Sequence, residues 1–258
     1  MNTIKELYGY RQMIFSLVKR DLRGRYKGSA LGFLWTFINP LLQLIVYTLV
    51  FSVIIKTDID KFYLFLFVAL VPWLFFSTCL TGGASCIWAQ QDMVKKIYFP
   101  REVLPLSYVI SQLINMLLTF IVIFIVIIIS GTGINVIAVL YLPIIISVEF
   151  VLALGTTMLM SALTVYFRDL EYILSIVSMA WMYMTPIVYS VEQVPKEIMP
   201  FYNLNPMNPI IIAYRDILYY KHSPQLGTLV HAFLLGLFVL ILGCFLFSKL
   251  KRHFAEEL

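Results

Sequence analysis

The sequence predicts an all-α integral membrane protein with six transmembrane helices and both termini on the cytoplasmic side. Three observations predict it. The 258 residues are 61% hydrophobic and 13% charged, with a mean hydropathy of +0.89, whereas soluble domains average roughly 45–50% apolar and about 25% charged. A chain this apolar has too little polar surface to cover itself, so lipid must cover it. Its apolar residues fall in runs of about 20 or more, enough to cross a hydrocarbon layer ~30 Å thick, and the length accommodates about six such runs. Fourteen of the 19 Lys and Arg residues fall on one side of the resulting topology, which makes that side cytoplasmic. The chain reads as one transmembrane domain over 1–258. It comprises a cytoplasmic interface helix over 1–30, a six-span bundle over 31–247 and a cytoplasmic tail over 248–258.

Taken in order, residues 1–27 form an amphipathic helix. Ile14, Leu17, Val18, Leu22 and Tyr26 recur at spacings of three or four, while Arg20, Arg23 and Lys27 recur on another face. Such a helix lies in the bilayer interface. The stretch RDLRGRYKGSALGFLWTFINP, Arg20 to Pro40, then sets Arg20, Arg23, Arg25 and Lys27 ahead of a small-residue hinge, Gly28-Ser29-Ala30-Leu31-Gly32. The first span runs from Leu31 to Ile55 and is interrupted by Asn39-Pro40. This apolar run is long and lacks a small-residue cleavage site, so it is a retained span and not a signal peptide. The loop KTDIDK leads to a second span over Phe62–Leu80 and then to the polar segment Trp88–Pro105, WAQQDMVKKIYFPREVLP.

The third span covers Leu106–Ser130. A Gly131-Thr132-Gly133 turn leads into Ile134–Phe167, which at about 1.5 Å per residue exceeds the membrane thickness. That helix must therefore tilt, bend or protrude. Arg168-Asp169-Leu170-Glu171 ends it, and the fifth span follows over Tyr172–Tyr189. Ser190–Pro224 holds five prolines, Pro195, Pro200, Pro206, Pro209 and Pro224, and is too polar to cross lipid. Its Met207–Tyr219 portion is apolar enough to dip in as re-entrant helices, which are tolerated where protein covers them. The sixth span, Gly227–Phe247, ends in a basic tail of Lys249, Lys251 and Arg252. No internal repeat is evident.

The net charge of +5 does not indicate nucleic acid, because the basic residues border apolar runs and face phospholipid headgroups. Cys79, Cys86 and Cys244 have no metal-ligand spacing and read as small buried residues. The phosphate-binding loop G-x-x-x-x-G-K-[ST] is absent from the sequence, as are H-E-x-x-H and a nucleophile elbow. His222, His231 and His253 are scattered. Asp58-Ile-Asp60 matches a D-x-D metal-binding pattern, but it sits in an outer loop and reads as solvated. Glu149 is the acid inside an apolar span. It is either functional or facing water near the outer end of a bent helix. Ala89–Arg101 mixes Asp92, Lys95, Lys96 and Arg101 with Tyr98-Phe99-Pro100 on a cytoplasmic loop, and exposed aromatics among charges suggest a docking surface.

Four segments in order, RDLRGRYKGSALGFLWTFINPL, KKIYFPREVLPLS, VYFRDLEYI and TPIVYSVEQVP…YNLNPMNPIIIAYRDILY, resemble the permease subunit of polysaccharide ABC exporters. These type-2 ABC exporter permeases transport O-antigen, teichoic acid, capsule and rhamnan-type polymers. One departure is Gln90-Gln91-Asp92, where the family pattern leads one to expect an asparagine. The resemblance implies a six-span permease that pairs with a second copy of itself and binds two ATP-binding cassette ATPase subunits. It implies no cofactor in this chain, ATP and Mg being held by those partners.

Further expectations follow from the resemblance. Ala89–Arg101 becomes a coupling helix in which Asp92, Lys95, Lys96, Tyr98, Phe99 and Arg101 engage the ATPase, with secondary contacts from Arg168, Asp169 and the helix before Arg20. The substrate is a glycan on a lipid pyrophosphate. Arg20, Arg23, Arg25 and Lys27 are expected to take its headgroup, since guanidinium forks suit phosphate; positive-inside anchoring explains the same residues without a substrate. Phe33, Phe37, Tyr47, Trp181 and Tyr183, from the first and fifth spans, are expected along the channel. The implied location is the bacterial inner or plasma membrane. The rival readings are an ABC permease for another lipid or a drug, a secondary transporter, and a membrane-embedded glycosyl- or acyltransferase, for which only Glu149 offers a catalytic acid.

Overall fold

The computed structural model describes residues 2–24, 28, 31–54 and 59–258, and among them the chain is helical with no strand. Two short helices, α1 (Asn2–Gly9) and α2 (Arg11–Gly24), replace the single expected interface helix, with the break at Tyr10. Gly28 and Gly32 then adopt φ of +85° and +48°, a left-handed backbone that favours glycine, so the small-residue hinge is a real change of direction. The first span begins with a tight turn at Gly32–Leu34, continues as α3 (Trp35–Thr48) with Pro40 inside it, and loosens into a wide turn over Leu49–Ile54.

The remaining elements are α4 (Phe62–Ala84), α5 (Gln91–Lys96), α6 (Val103–Ile129), α7 (Val136–Val139), α8 (Leu142–Tyr166), α9 (Leu170–Tyr183), α10 (Met199–Tyr202), α11 (Met207–Arg215), α12 (Leu226–Leu250) and α13 (Phe254–Glu257). Five helical segments among the described residues are long and apolar enough to cross a membrane: Gly32–Ser52, Phe62–Ala84, Val103–Ile129, Val136–Tyr166 and Leu226–Glu257. The overlong fourth run bends at Leu140–Tyr141, and Pro143 sits in the first turn of α8, where its missing N–H costs nothing.

The fifth expected span differs from its reading. α9 has 14 residues, about 21 Å at 1.5 Å per residue, and stops at Tyr183 although the sequence stays apolar beyond it. Pro186 disfavours helical backbone just before it, and the chain turns at this point into the re-entrant segment.

α4 is the centre of the bundle. Leu64 to Val71 are all buried, as expected of a helix that is apolar on every side. α6, α8, α9 and α11 pack around it, and α12 packs along α8. The α8–α12 seam is set by glycine. A Cβ on Gly155 would lie 2.6 Å from the Leu240 backbone nitrogen, and one on Gly243 would lie 2.5 Å from the Gly155 carbonyl oxygen. Small residues let helix backbones approach closely where hydrophobic driving force between spans is lacking.

The bundle has two distinct ends. At one, α1, α2, α5, the end of α8 and the C-terminal tail share a small apolar core containing Leu17, Val94, Phe99, Phe247 and Phe254, so both termini lie at the same end. At the other, loops are tied by hydrogen bonds from Lys61 to the Ser130 carbonyl (3.0 Å) and from Asn135 to the Lys221 carbonyl (2.9 Å).

The glycine seam generates a test. Gly155→Ala should destabilise the purified protein by about 1–3 kcal/mol, as overpacking does. Gly227→Ala, with nothing within 4 Å, should leave it unchanged or slightly stabilised. Thermal unfolding followed by intrinsic fluorescence separates the two, and equal melting of Gly155→Ala and wild type would refute the close α8–α12 contact.

Candidate functional site

At the end that holds the termini, α2 is docked on α6. Leu17 and Val18 are buried, and the Ser111 hydroxyl donates to the Asp21 carboxylate. The apolar face read as lying against lipid is therefore partly covered by protein. This docking puts Arg20 on the wall of a cleft of about 490 Å3, together with Ser85, Gln90, Ser107 and Tyr108. Arg23 is exposed one turn on. Arg25 and Lys27 lie outside the described residues.

The loop read as a coupling helix is helical only over Gln91–Lys96, preceded by a tight turn at Trp88–Gln90 and followed by extended chain. Val94 anchors α5 inward, while Asp92, Lys95 and Lys96 face solvent. The Lys96–Asp92 pair, 3.4 Å apart, is exposed and adds little stability. Ile97 and Tyr98 continue this surface, Tyr98 being 88% exposed. Phe99 and Pro100 correct the sequence reading, for both are buried. Extended chain alternates sides, so Tyr98 points outward and Phe99 points into the small core.

Arg101 also leaves the exposed patch. Its guanidinium donates to the Lys251 carbonyl and lies 5.8 Å from the Phe254 ring centroid. Lys251 pairs with Glu102, and Phe254 is fully buried. The C-terminal tail thus staples the loop to the bundle, a role its basic composition did not reveal. Arg168 lies 4.0 Å over the Trp88 ring, a cation–π contact that ties the α8–α9 corner to the start of the loop. Asp169 is exposed at the start of α9.

The five span aromatics divide. Phe33 and Phe37 form an edge-to-face pair 5.5 Å apart, with Phe33 exposed and Phe37 half-buried. Tyr183 is exposed. The Tyr47 hydroxyl reaches to 4.0 Å from the Met182 sulfur and joins α3 to α9. Trp181 is committed to packing: its ring meets Phe76 edge-on at 5.1 Å, and its Nε1 donates to Asn205 Oδ1 at 2.9 Å.

That contact leads to a corner not singled out in the sequence. Asn205 Nδ2 donates to Asn208 Oδ1 (2.7 Å) and to Thr185 Oγ1 (3.0 Å), and Asn208 Nδ2 donates to the Tyr202 carbonyl (2.7 Å). Arg215, only 2% exposed, donates to the carbonyls of Ile187 (2.6 Å) and Tyr189 (3.1 Å) and stacks on the Phe65 ring at 3.5 Å. Next to it, burial pushes the Asp216 carboxyl above its ordinary range, against the opposing pull of His222, whose Nε2 is 3.5 Å away. The spacing of asparagine and proline in YNLNPMNP was the available signal for this corner. Glu149 faces inward and not toward water: it is 0% exposed and accepts a 2.6 Å hydrogen bond from the Tyr214 hydroxyl of α11. Asp58 of the D-x-D pattern lies outside the described residues, and the Asp60 carbonyl accepts from the Tyr219 hydroxyl.

A family model described as ABC-2 type transporter matches residues 12–219, from α2 through the re-entrant segment. The chain is 35% identical over 257 residues to the O-antigen export system permease protein RfbA of Myxococcus xanthus, covering 99% of this chain and 98% of that one. Two proteins of the same name from Klebsiella pneumoniae are 31% identical over 251 residues, with 95% of each chain covered. A match over most of the length, with relatives this similar from end to end, means that the chain is a multi-pass membrane protein and a member of the ABC-2 type transporter family.

Proposed function

We propose that this chain is the transmembrane subunit of an ATP-driven exporter that moves a lipid-pyrophosphate-linked polysaccharide from the cytoplasm across the bacterial inner membrane. The observation that carries this reading is the end-to-end similarity to permeases named for O-antigen export. The chain is a transport subunit and not an enzyme. ATP and Mg belong to a separate pair of ATPase subunits, a division supported by the absence of a phosphate loop from the sequence. A second copy of the chain completes the permease. The apolar faces left exposed on α3 and α9, including Leu42, Ile45, Ile173 and Ile176, support that pairing.

In this reading the end with both termini is cytoplasmic, and Asp92, Lys95, Lys96, Ile97 and Tyr98 form the surface that enters the ATPase. Val94 and Phe99 fix the loop from inside, while Arg101, Glu102 and Lys251 clamp it to the tail. The loop therefore moves with the ends of α6, α8 and α12 as one lever. Closure of the ATPase pair on ATP displaces that lever and shifts the spans toward a conducting state. Arg20 and Arg23 stand at headgroup depth beside the lever, where guanidinium donors suit an arriving pyrophosphate.

Two mutations test the assignment. Reversing Lys95 and Lys96 to Glu removes the basic half of the exposed patch while leaving Val94 and Phe99 in place. Export and recovery of the permease–ATPase complex should both fall by about tenfold or more, as at a charged contact made by few residues; unchanged yield and unchanged export would sink the docking role. Replacing Arg20 and Arg23 by Gln keeps Lys19 and the anchoring charge of Lys27, so membrane insertion should be normal while surface polymer is lost. Normal surface polymer in that variant would return the cluster to anchoring alone.

A further inference from the structure

Three spans line a polar cleft at mid-membrane depth. α3 contributes Asn39 and Gln43, one turn apart, and α6 contributes Gln112, Asn115 and Thr119, also on one face. Trp35 and Phe75 also line the recess, whose volume is about 210 Å3. Gln43 is near the centre of the Gly32–Ser52 span, and Asn115 is near the centre of Val103–Ile129. In hydrocarbon such side chains must find polar partners. Here three of them leave polar atoms without a hydrogen-bond partner among the described residues: Asn115 Oδ1, which is buried, and the side chains of Asn39 and Gln43, both exposed.

The chemistry of the lining narrows the occupant. It carries no charge, so it does not suit phosphate or a metal ion. A lipid tail would leave the side chains of Asn39 and Gln43 and the Oδ1 of Asn115 unsatisfied. Carboxamides and hydroxyls both donate and accept, as sugar hydroxyls do, and aromatic faces match the apolar C–H face of a sugar ring. The volume holds about seven waters at ~30 Å3 each, or one sugar unit displacing most of them. We propose that this cleft is a glycan subsite, in which one uncharged sugar of the polymer exchanges hydrogen bonds with Asn39, Gln43 and Asn115 against Trp35 and Phe75. The inference rests on the polysaccharide reading above and adds a specific place, lined by neither Phe33 nor Tyr183.

Two measurements test it together. Cysteines placed singly at Asn39, Gln43 and Asn115, in a Cys244→Ser background since Cys79 and Cys86 are buried, are exposed in membrane vesicles to a membrane-impermeant thiosulfonate. Ile121→Cys and Ile125→Cys, on an exposed apolar face of α6, serve as lipid-facing controls. The three cleft positions should label and the controls should not. Separately, Asn39→Leu with Gln43→Leu, and Asn115→Leu alone, are compared with Asn39→Gln for surface polymer in a host lacking its own permease. Leucine inserts into a span at least as readily, so expression should hold while export drops by about tenfold or more, as when a site built for hydroxyls loses its partners; Asn39→Gln should retain most of it. A cleft that fails to label is dry and overturns the subsite. A cleft that labels while the leucine variants export normally holds water alone, and also overturns it. So does a spontaneous Gln43→Cys disulfide between two chains that excludes the reagent, which makes the amides a seam between copies. If wild type itself restores no surface polymer, the polysaccharide reading falls and the subsite with it, an outcome distinct from all of these.

Discussion

The guanidinium of Arg215 holds together the part of the structure that departs from simple membrane crossing. A chain in lipid must satisfy its backbone polar groups internally, and here the fifth helix stops at Tyr183 and the chain folds back before reaching α12. The carbonyls of Ile187 and Tyr189 in that turn have lost helical partners. Arg215 donates to both from α11 while its flat face rests on Phe65 of α4. One side chain thus satisfies the turn after α9, fixes the re-entrant helix and anchors both to the central helix. A buried cation is tolerated only when its donors are used in this way. Asn205 and Asn208 complete the corner by occupying Trp181 and the Tyr202 carbonyl.

This corner also changes the meaning of the charge census. Arg215 counts among the basic residues of the outer loops when only the sequence is read, yet it is buried in protein and faces no headgroup. Removing it from the water-facing set sharpens the asymmetry between the two ends. The same distinction separates Arg101, which is consumed by the tail, from Lys95 and Lys96, which are not. Charge near a membrane acts on topology, on packing or on a partner, and burial decides among them.

Much of the fold was legible because the apolar runs, the glycine hinge at Gly28 and Gly32, and the bend near Pro143 are local signals. The end of α9 was not, because residues 184–189 stay apolar and composition does not register a turn buried by neighbours. Phe99 was read as exposed together with Tyr98 because both are aromatic; the extended backbone that turns one outward and the other inward becomes visible only once α5 is known to end at Lys96. Glu149 was visible as an acid in a span, but its partner Tyr214 is 65 residues away, beyond any periodicity. In the exposed patch on the α5 loop, Asp92, Lys95, Lys96 and Tyr98 were legible as charges and an aromatic between spans. The staple by Phe254 was hidden, since a single Phe in a basic tail carries no pattern.

Two polar features inside the bundle show opposite solutions to one physical problem. At Arg215 and the asparagine corner the donors meet acceptors of the same chain, the carbonyls of Ile187, Tyr189 and Tyr202 and the side chains of Thr185 and Asn208. The cleft between α3, α4 and α6 is open: Asn115 Oδ1 has no partner among the described residues, and amides line a recess of about 210 Å3. If both were only devices for packing helices, both should be closed, because an unsatisfied polar group in hydrocarbon costs several kcal/mol. The closed corner stabilises the end where the fifth helix stops short. The open cleft flanks Pro40, at the point where the first span has already given up a backbone hydrogen bond. The corner spends its guanidinium and carboxamide donors inside the chain, whereas the cleft holds its carboxamides ready for something that arrives from outside.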